Sequence, residues 1–259
     1  MMKLLTFNIR YDCGQDGENN YCFRAPFLLE KLKAERPDII CFQEVLPHVA
    51  AGLKEALTEY YMIGCGRSSS LRDEAEVIAY RKDRLNLVTM DTFWLSPAPD
   101  VPGSRYQEQS DCPRVCTRAV FELMDEQRLF GIYNIHLDHM GMRARQLGLE
   151  QILKDMEERV TKGLSISFPV ILAGDFNAEP EEAPIRALTG GGKFCNVTEG
   201  IGVTYHGFLP EDEPERIDYI FTQSPIRCCR VEKWEDRRGY LWLSDHYPIC
   251  AELHFEHDS

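Results

Sequence analysis

No stretch of this chain is apolar for long enough to cross a bilayer, and the amino terminus lacks a long apolar core followed by a small-residue cleavage site. Membrane insertion and a secretory leader are therefore not expected, and residues 1–8 read instead as a first strand. Basic residues are also in short supply: 29 Lys and Arg against 42 Asp and Glu leave a net charge of −13. A protein that grips a long polyanion by charge alone carries a basic stripe. Here the Arg-rich stretches, 67–84 and 227–238, are interleaved with acids, which argues against that mode but leaves room for a small phosphorylated ligand. No Gly/Ser/Pro-rich linker, internal repeat or low-complexity tract divides the sequence, so one domain over residues 1–259 is the expected organisation. The ten cysteines lack zinc spacing, because neither Cys112-x-x-x-Cys116 nor Cys228-Cys229 is followed by a matching pair. Cys41, within Ile39-Ile40-Cys41-Phe42, sits as a small hydrophobe in an apolar run, which fits a reduced, cytoplasmic protein. Nothing in the sequence calls for an obligate protein partner.

What is present is a series of strand-like and helix-like segments of mixed α/β type. Residues 3–9 and 38–42 are apolar on both alternations, as strands covered on both faces are. Between them Phe27, Leu28 and Leu32, set among Lys and Glu, form an amphipathic helix ending near Arg36-Pro37. A second helix is expected over 49–57, and strands over 77–81, 85–95, 117–123 and 129–134. The Pro-, Ser- and Gly-rich stretch 96–113 reads as a long surface loop, a type that often carries binding residues. Leu147, Leu149, Ile152, Leu153, Met156 and Val160 make a further helical stripe, and short strands are expected around 204, 217–222, 230–234 and 247–255.

Polar groups punctuate these apolar runs at their ends. Asp175 and Asn177 follow the run Pro169-Val170-Ile171-Leu172-Ala173, and residues two apart on an extended backbone point the same way. A carboxylate and a carboxamide side by side can hold a water molecule next to phosphorus. Glu44 closes another buried strand, where a charge is costly unless it is paired or bound to a metal. A hard cation such as Mg²⁺ takes oxygen ligands and keeps several waters, so one direct carboxylate can suffice. Asn8, at the end of the first strand, could orient that water shell or touch phosphate. His136 could donate to a phosphate oxygen or move a proton. His246 needs an orienter on its second ring nitrogen, for which Asp218 is the candidate, while Asp245 would hold a metal-bound water. Arg10, Arg114, Arg118, Arg143 and Arg145 are candidate substrate anchors, with His139 and His206 as further contacts. Each of these residues has an ordinary structural explanation alone; their common placement at strand ends argues for metal-assisted phosphoryl chemistry.

In order along the chain, Thr6-Phe7-Asn8, Gln43-Glu44-Val45, Asn134-x-His136-Leu137, Gly174-Asp175-Phe176-Asn177, Ile217-Asp218-Tyr219-Ile220 and Ser244-Asp245-His246 resemble the motif series of the endonuclease/exonuclease/phosphatase superfamily. Pro113-Arg114…Thr117, Asp138-His139, Ala144-Arg145 and Thr204-Tyr205-His206-Gly207-Phe208 are most similar to a bacterial branch of it. The resemblance implies a four-layer αββα sandwich and a Mg²⁺- or Mn²⁺-dependent hydrolase of phosphate esters. It implies Glu44 as the metal-binding glutamate, with Asn8 beside metal and phosphate and Asp245 as the acid adjoining the histidine pair. Asp175 matches the aspartate that orients or deprotonates water, Asn177 its partner at phosphorus, His246 with Asp218 the histidine–aspartate pair, and His136 a phosphate-contacting histidine. The expected substrates are, first, nucleotides or single-stranded nucleic acid as a phosphodiesterase or nuclease; second, a sugar, inositol or lipid head-group phosphate. A catalytically inactive binding module is the third reading, weakened because no expected catalytic position is missing.

Overall fold

The structure is a computed structural model that describes residues 1–160 and 168–256. Along the chain run β1 (Met2–Asn8), α1 (Tyr21–Glu35), β2 (Ile39–Val45), α2 (Pro47–Ala56), β3 (Tyr60–Ile63), β4 (Ala75–Arg81), β5 (Leu85–Trp94), β6 (Val115–Leu123) and β7 (Arg128–His136). There follow α3 (Met142–Asp155), β8 (Val170–Asp175), α4 (Ala183–Gly190), β9 (Cys195–Asn196), β10 (Asp218–Thr222), β11 (Ile226–Lys233), β12 (Arg237–Arg238), β13 (Leu241–Trp242) and β14 (Ile249–Phe255). One sheet has the order β11-β14-β1-β2-β4-β3 and the other β5-β6-β7-β8-β10-β9. Their facing sides share a core that includes Leu4, Ile39, Phe121, Ile132, Ile171 and Leu253. A second core joins Phe93, Leu137 and Tyr219 to Leu149 and Ile152 of α3 and Leu188 of α4. A third joins Leu5, Ile40 and Phe42 to Leu28 of α1 and Leu53 of α2. The result is the expected four-layer αββα sandwich.

Each sheet contains one parallel pair, β1 with β2 and β7 with β8, and the remaining long pairings are antiparallel. Parallel neighbours need a crossover, and α1 and α3 lie in the two crossover segments. Both parallel pairs therefore end at one rim, which receives Asn8, Glu44, His136 and Asp175. Asp218 opens β10, and Asp245-His246 precede β14. Antiparallel pairing of these strands with β8 and β1 turns their starting ends to the same rim.

Most boundaries depart from the expected ones by only a few residues. The strand expected around Thr204 is instead reduced to two isolated bridges, of Tyr205 with Glu215 and with His246. The hydroxyl oxygen of Thr204 accepts the N–H groups of Ile217 and Asp218, so this segment pins the start of β10 rather than extending a sheet. The loop 96–113 folds back onto the segment after β7, where Asp138 accepts from Ser110. All ten cysteines are free thiols, and no helix among the described residues is long and apolar enough to cross a membrane.

Candidate active site

Strand register assembles the centre. His136 and Asp218 both stand opposite Asp175, on β7 and β10 respectively. The approach of β7 to β8 is so close that a Cβ on Gly174, whose φ is +143°, would lie 2.0 Å from the Ile135 carbonyl oxygen. Only glycine fits there, and this explains the glycine before Asp175. In β2 the pairing with β4 shifts between Phe42 and Val45, a bulge that frees Glu44 from the ladder and re-aims it. Glu44, Arg10 and Asn177 hold left-handed φ values of 65°, 56° and 46°. Such conformations typically cost about 1–3 kcal/mol each and cluster where side chains must point somewhere particular.

Asn8 is the bridge between the sheets: its amide donates to Glu44 Oε1 and to Asp175 Oδ2, both at 3.0 Å. The other Glu44 oxygen accepts the Tyr11 N–H at 2.8 Å. Asp175 Oδ1 accepts the Asn177 N–H at 2.9 Å, while the Asn177 amide donates to the Leu137 carbonyl. His246 Nδ1 lies 2.8 Å from Asp218 Oδ2, and its Nε2 lies 3.8 Å from Asp175 Oδ2. His136 Nε2 reaches the same Asp175 oxygen at 3.4 Å. Beneath the rim, the buried Arg24 guanidinium donates to the carbonyls of Ile9, Arg10 and Leu243, tying the segment after β1 to the one before Asp245.

Burial and mutual charge set the protonation states. Asp175 is pushed up to about 7, by burial first and then by the Asp218 charge. Burial disfavours the charged His246, but the charge and hydrogen bond of Asp218, with Asp175 and Asp245, overcome it and raise the ring to about 10. Burial likewise opposes ionised Glu44, yet the N–H groups of Tyr11 and Asn8 hold its carboxyl below the usual range. His136 is driven well below its ordinary value by burial, then by Arg114 and Arg67, and is neutral. One rim thus carries a carboxylate of near-neutral pKa, an imidazolium and a neutral imidazole.

These groups border a cleft of about 580 Å³ lined also by Arg10, Arg67, Glu74, Arg114, His139 and Tyr205. Arg114 is buried, with Nη2 2.9 Å from His139 Nδ1 and Nε 3.8 Å from Asp138 Oδ2, and its Nε and Nη1 make no hydrogen bond. Four expected substrate contacts, Arg118, Arg143, Arg145 and His206, are not brought into the cleft. Arg145 donates to the carbonyls of Asp138 and His139 and to Glu182, so its planar fork stabilises the turn behind His139. His206 packs against the rings of Trp242 and Tyr247, with centroids 4.5 and 4.3 Å away. Arg118 pairs with Asp91 and Asp155, and Arg143 with Gln146 at the surface. Glu76 was not anticipated: it is fully buried and its Oε1 lies 3.9 Å from His136 Nδ1. An acid inside the apolar run Ala75-Glu76-Val77-Ile78-Ala79 was the available signal.

A divalent cation fits this chemistry. Asp175, Asp218 and His246 offer ligand atoms within 4.8 Å of one another and could hold one. An ion bound there would have to break the 2.8 Å His246–Asp218 bond. Glu44 and Asp245 offer an all-oxygen set on the cleft, as hard cations prefer. Burial first, and also the charge of Glu44, raises Asp245; a cation would relieve that repulsion.

Fold and rim cluster together are those of the phosphoesterase class. The chain matches the model of the Endonuclease/Exonuclease/phosphatase family over residues 5–246, and it belongs to that family. It is similar to an endonuclease/exonuclease/phosphatase structure from Bacteroides vulgatus, 30% identical with a TM-score of 0.90, covering 98% of this chain and 99% of that one. A Bacteroides thetaiotaomicron mannosyl-6-phosphatase is 29% identical with a TM-score of 0.88, covering 98% and 100%. The human Nocturnin catalytic domain, 19% identical with a TM-score of 0.77 over 98% and 94%, shares the fold. Uncharacterized protein L388 of Acanthamoeba polyphaga mimivirus is 30% identical over 165 residues, 60% of this chain and 59% of that relative. The match with that curated relative thus spans about three fifths of its length.

Proposed function

We propose that this chain hydrolyses a small phosphate monoester, with Mg²⁺ or Mn²⁺ held by Glu44 and Asp245. The observation that carries the reading is Arg114, a buried guanidinium that lines the cleft with His136 and His139 and whose Nε and Nη1 make no hydrogen bond. Buried donors left unmade are costly, and a phosphoryl group satisfies them with charge-assisted bonds. Nucleotides and single-stranded nucleic acid ranked first on sequence. What moves the small ester ahead is the charge balance of the cleft: Arg67 and Arg114 lie together, but Arg67 is paired with Glu74 at 2.6 Å and Glu215 adds a further acid, which suits one small anion better than a polyanion. The mannosyl-6-phosphatase among the relatives points the same way. Tyr11 and Tyr205 also line the cleft, which favours a nucleotide diester as the second reading.

In the mechanism, Asp175 accepts a proton from the attacking water, for which a pKa of about 7 suits it. His246, kept cationic by Asp218, donates to a phosphoryl oxygen or to the leaving oxygen. Arg114, Asn177 and neutral His136 hold the remaining oxygens before charge builds, a preorganised electrostatic contribution. A bound divalent ion supplies Lewis-acid polarisation of the ester.

The test is phosphate release with Mg²⁺ or Mn²⁺ from hexose 6-phosphates and p-nitrophenyl phosphate, against bis-p-nitrophenyl phosphate, dinucleotides and oligo(A). Monoesters should turn over, EDTA should stop the reaction, and Asp175→Asn should cost at least about 10²-fold. Cleavage confined to diesters would favour the second reading, and turnover insensitive to EDTA would reject the cation.

A further inference from the structure

Beside the catalytic cleft lies a second cavity of about 500 Å³, within the size range of ligand pockets. Arg10, Tyr205 and Asp245 line both cavities, so the two adjoin across these side chains. The second cavity differs in chemistry. Its apolar walls are Phe208, Leu209, Tyr240 and Trp242, and Gln15, Asp16, Glu18 and Asp212 supply polar groups. Among the described residues that line it, Arg10 is the cationic one, already in hydrogen bonds with both oxygens of Asp16 and 3.6 Å from Asp245, while Arg24 and Arg237 stack on the Phe208 and Trp242 rings.

The walls are built rather than incidental. Asp212 Oδ2 accepts the N–H groups of Phe208 and Leu209, each at 2.8 Å, fixing the turn at one side. A Cβ on Gly207, φ +64°, would meet that carboxylate at 2.1 Å, so the tight turn depends on glycine. On the other side Trp242 packs on His206, which in turn packs on Tyr247. This gives His206, unused by the chemistry, the work of buttressing a cavity wall. Tyr240 is 83% exposed, so its ring is accessible to a ligand in the cavity.

We infer that this second cavity is a subsite for a neutral, hydroxyl-rich leaving group, a sugar ring, attached to the phosphoryl group bound in the catalytic cleft. The inference rests on the monoester reading above and extends it. A phosphate monoester has a charged end and an organic end. Arg67 and Arg114 suit the charged end. Carboxylates accept hydroxyl protons, and aromatic rings pack against the C–H faces of a pyranose. The same carboxylates repel a second phosphate, so a nucleotide chain is disfavoured in this place.

Two measurements on the full chain test the inference. The first is calorimetric titration with unphosphorylated methyl hexosides and hexose disaccharides, which needs no turnover. Saturable binding is expected, weakened tenfold or more by Tyr240→Ala and by Glu18→Gln. Both positions are exposed, so folding is not at stake. The second is the ratio of kcat/KM for a hexose 6-phosphate to that for ethyl phosphate, whose organic group is too short to reach the cavity. That ratio should fall about tenfold in the same variants, chiefly through KM. Absence of saccharide binding, or binding and ratio both untouched by the substitutions, overturns the subsite. If neither ester is hydrolysed the monoester reading fails, and the titration still decides whether the cavity takes a sugar.

Discussion

Glu76 places a carboxyl group where neither oxygen makes a hydrogen bond, against a neutral His136. Burial raises its pKa well above the ordinary 4.5, only partly opposed by Arg114 and Arg67. The folded chain therefore keeps a proton that the unfolded chain releases above that pH. Stability must fall as pH rises from the unfolded value toward the folded one. Glu76→Gln keeps the shape and cannot ionise, so it removes this decline. Unfolding free energies of parent and variant from urea titration should nearly coincide near pH 4 and separate in the variant's favour toward pH 8, by about 1–3 kcal/mol. A difference that does not change with pH would show that Glu76 ionises as an ordinary glutamate. Activity reports separately on Glu76 as a positioning residue: loss of turnover with KM unchanged would mean that it orients His136.

The two parallel pairs, each with a helix in its crossover segment, explain why so much of the site was legible from strand ends. Asn8, Glu44, His136 and Asp175 follow apolar runs that any reading by periodicity finds, and parallel neighbours must finish together. What the sequence hides is long-range register. Nothing local says that Asp218 stands opposite Asp175, that Asn8 spans two sheets, or that Arg145 turns away from the cleft toward Glu182. The loop 96–113 is a similar case: its composition marks it as a loop, but its anchor is Asp138 on another segment. That carboxylate accepts from Ser110, Met140 and Gly141, and although burial opposes its charge, these hydrogen bonds hold its pKa below the ordinary 3.8. The stability it contributes is fully present above the unfolded value and is lost as pH falls through the folded one. Asp138→Ala should cost about 2–4 kcal/mol at neutral pH, since several hydrogen bonds to a charged group go at once. Thermal unfolding should show the gap closing as the pH is taken below 4. KM should also rise, because the loop leads directly into Arg114.

At the scale of the whole molecule, a net charge of −13 surrounds a site that binds anions. The two facts are compatible when Arg10, Arg67, Arg114 and His246 offset the carboxylates of the cleft close to the ligand and the substrate is small. At about 0.15 M ionic strength the Debye length is about 8 Å, so a monoester inside the cleft responds mainly to the arginines lining it. A polynucleotide would extend well beyond that distance and meet the negative surface along its length. The sign of the salt response therefore discriminates between substrates. For a protein that binds nucleic acid through a basic surface, added salt weakens binding steeply as counterions cease to be released. Here added KCl should screen a repulsion, so any residual cleavage of oligo(A) should have a KM that falls between 20 and 200 mM salt. Over the same range, KM for a hexose 6-phosphate should rise by no more than about threefold, since only short-range attraction in the cleft is being screened. Measuring both series at fixed free Mg²⁺ separates screening from loss of the metal. An oligonucleotide KM that climbs steeply with salt would reveal a basic track along the surface and would return nucleic acid to first place among the substrates.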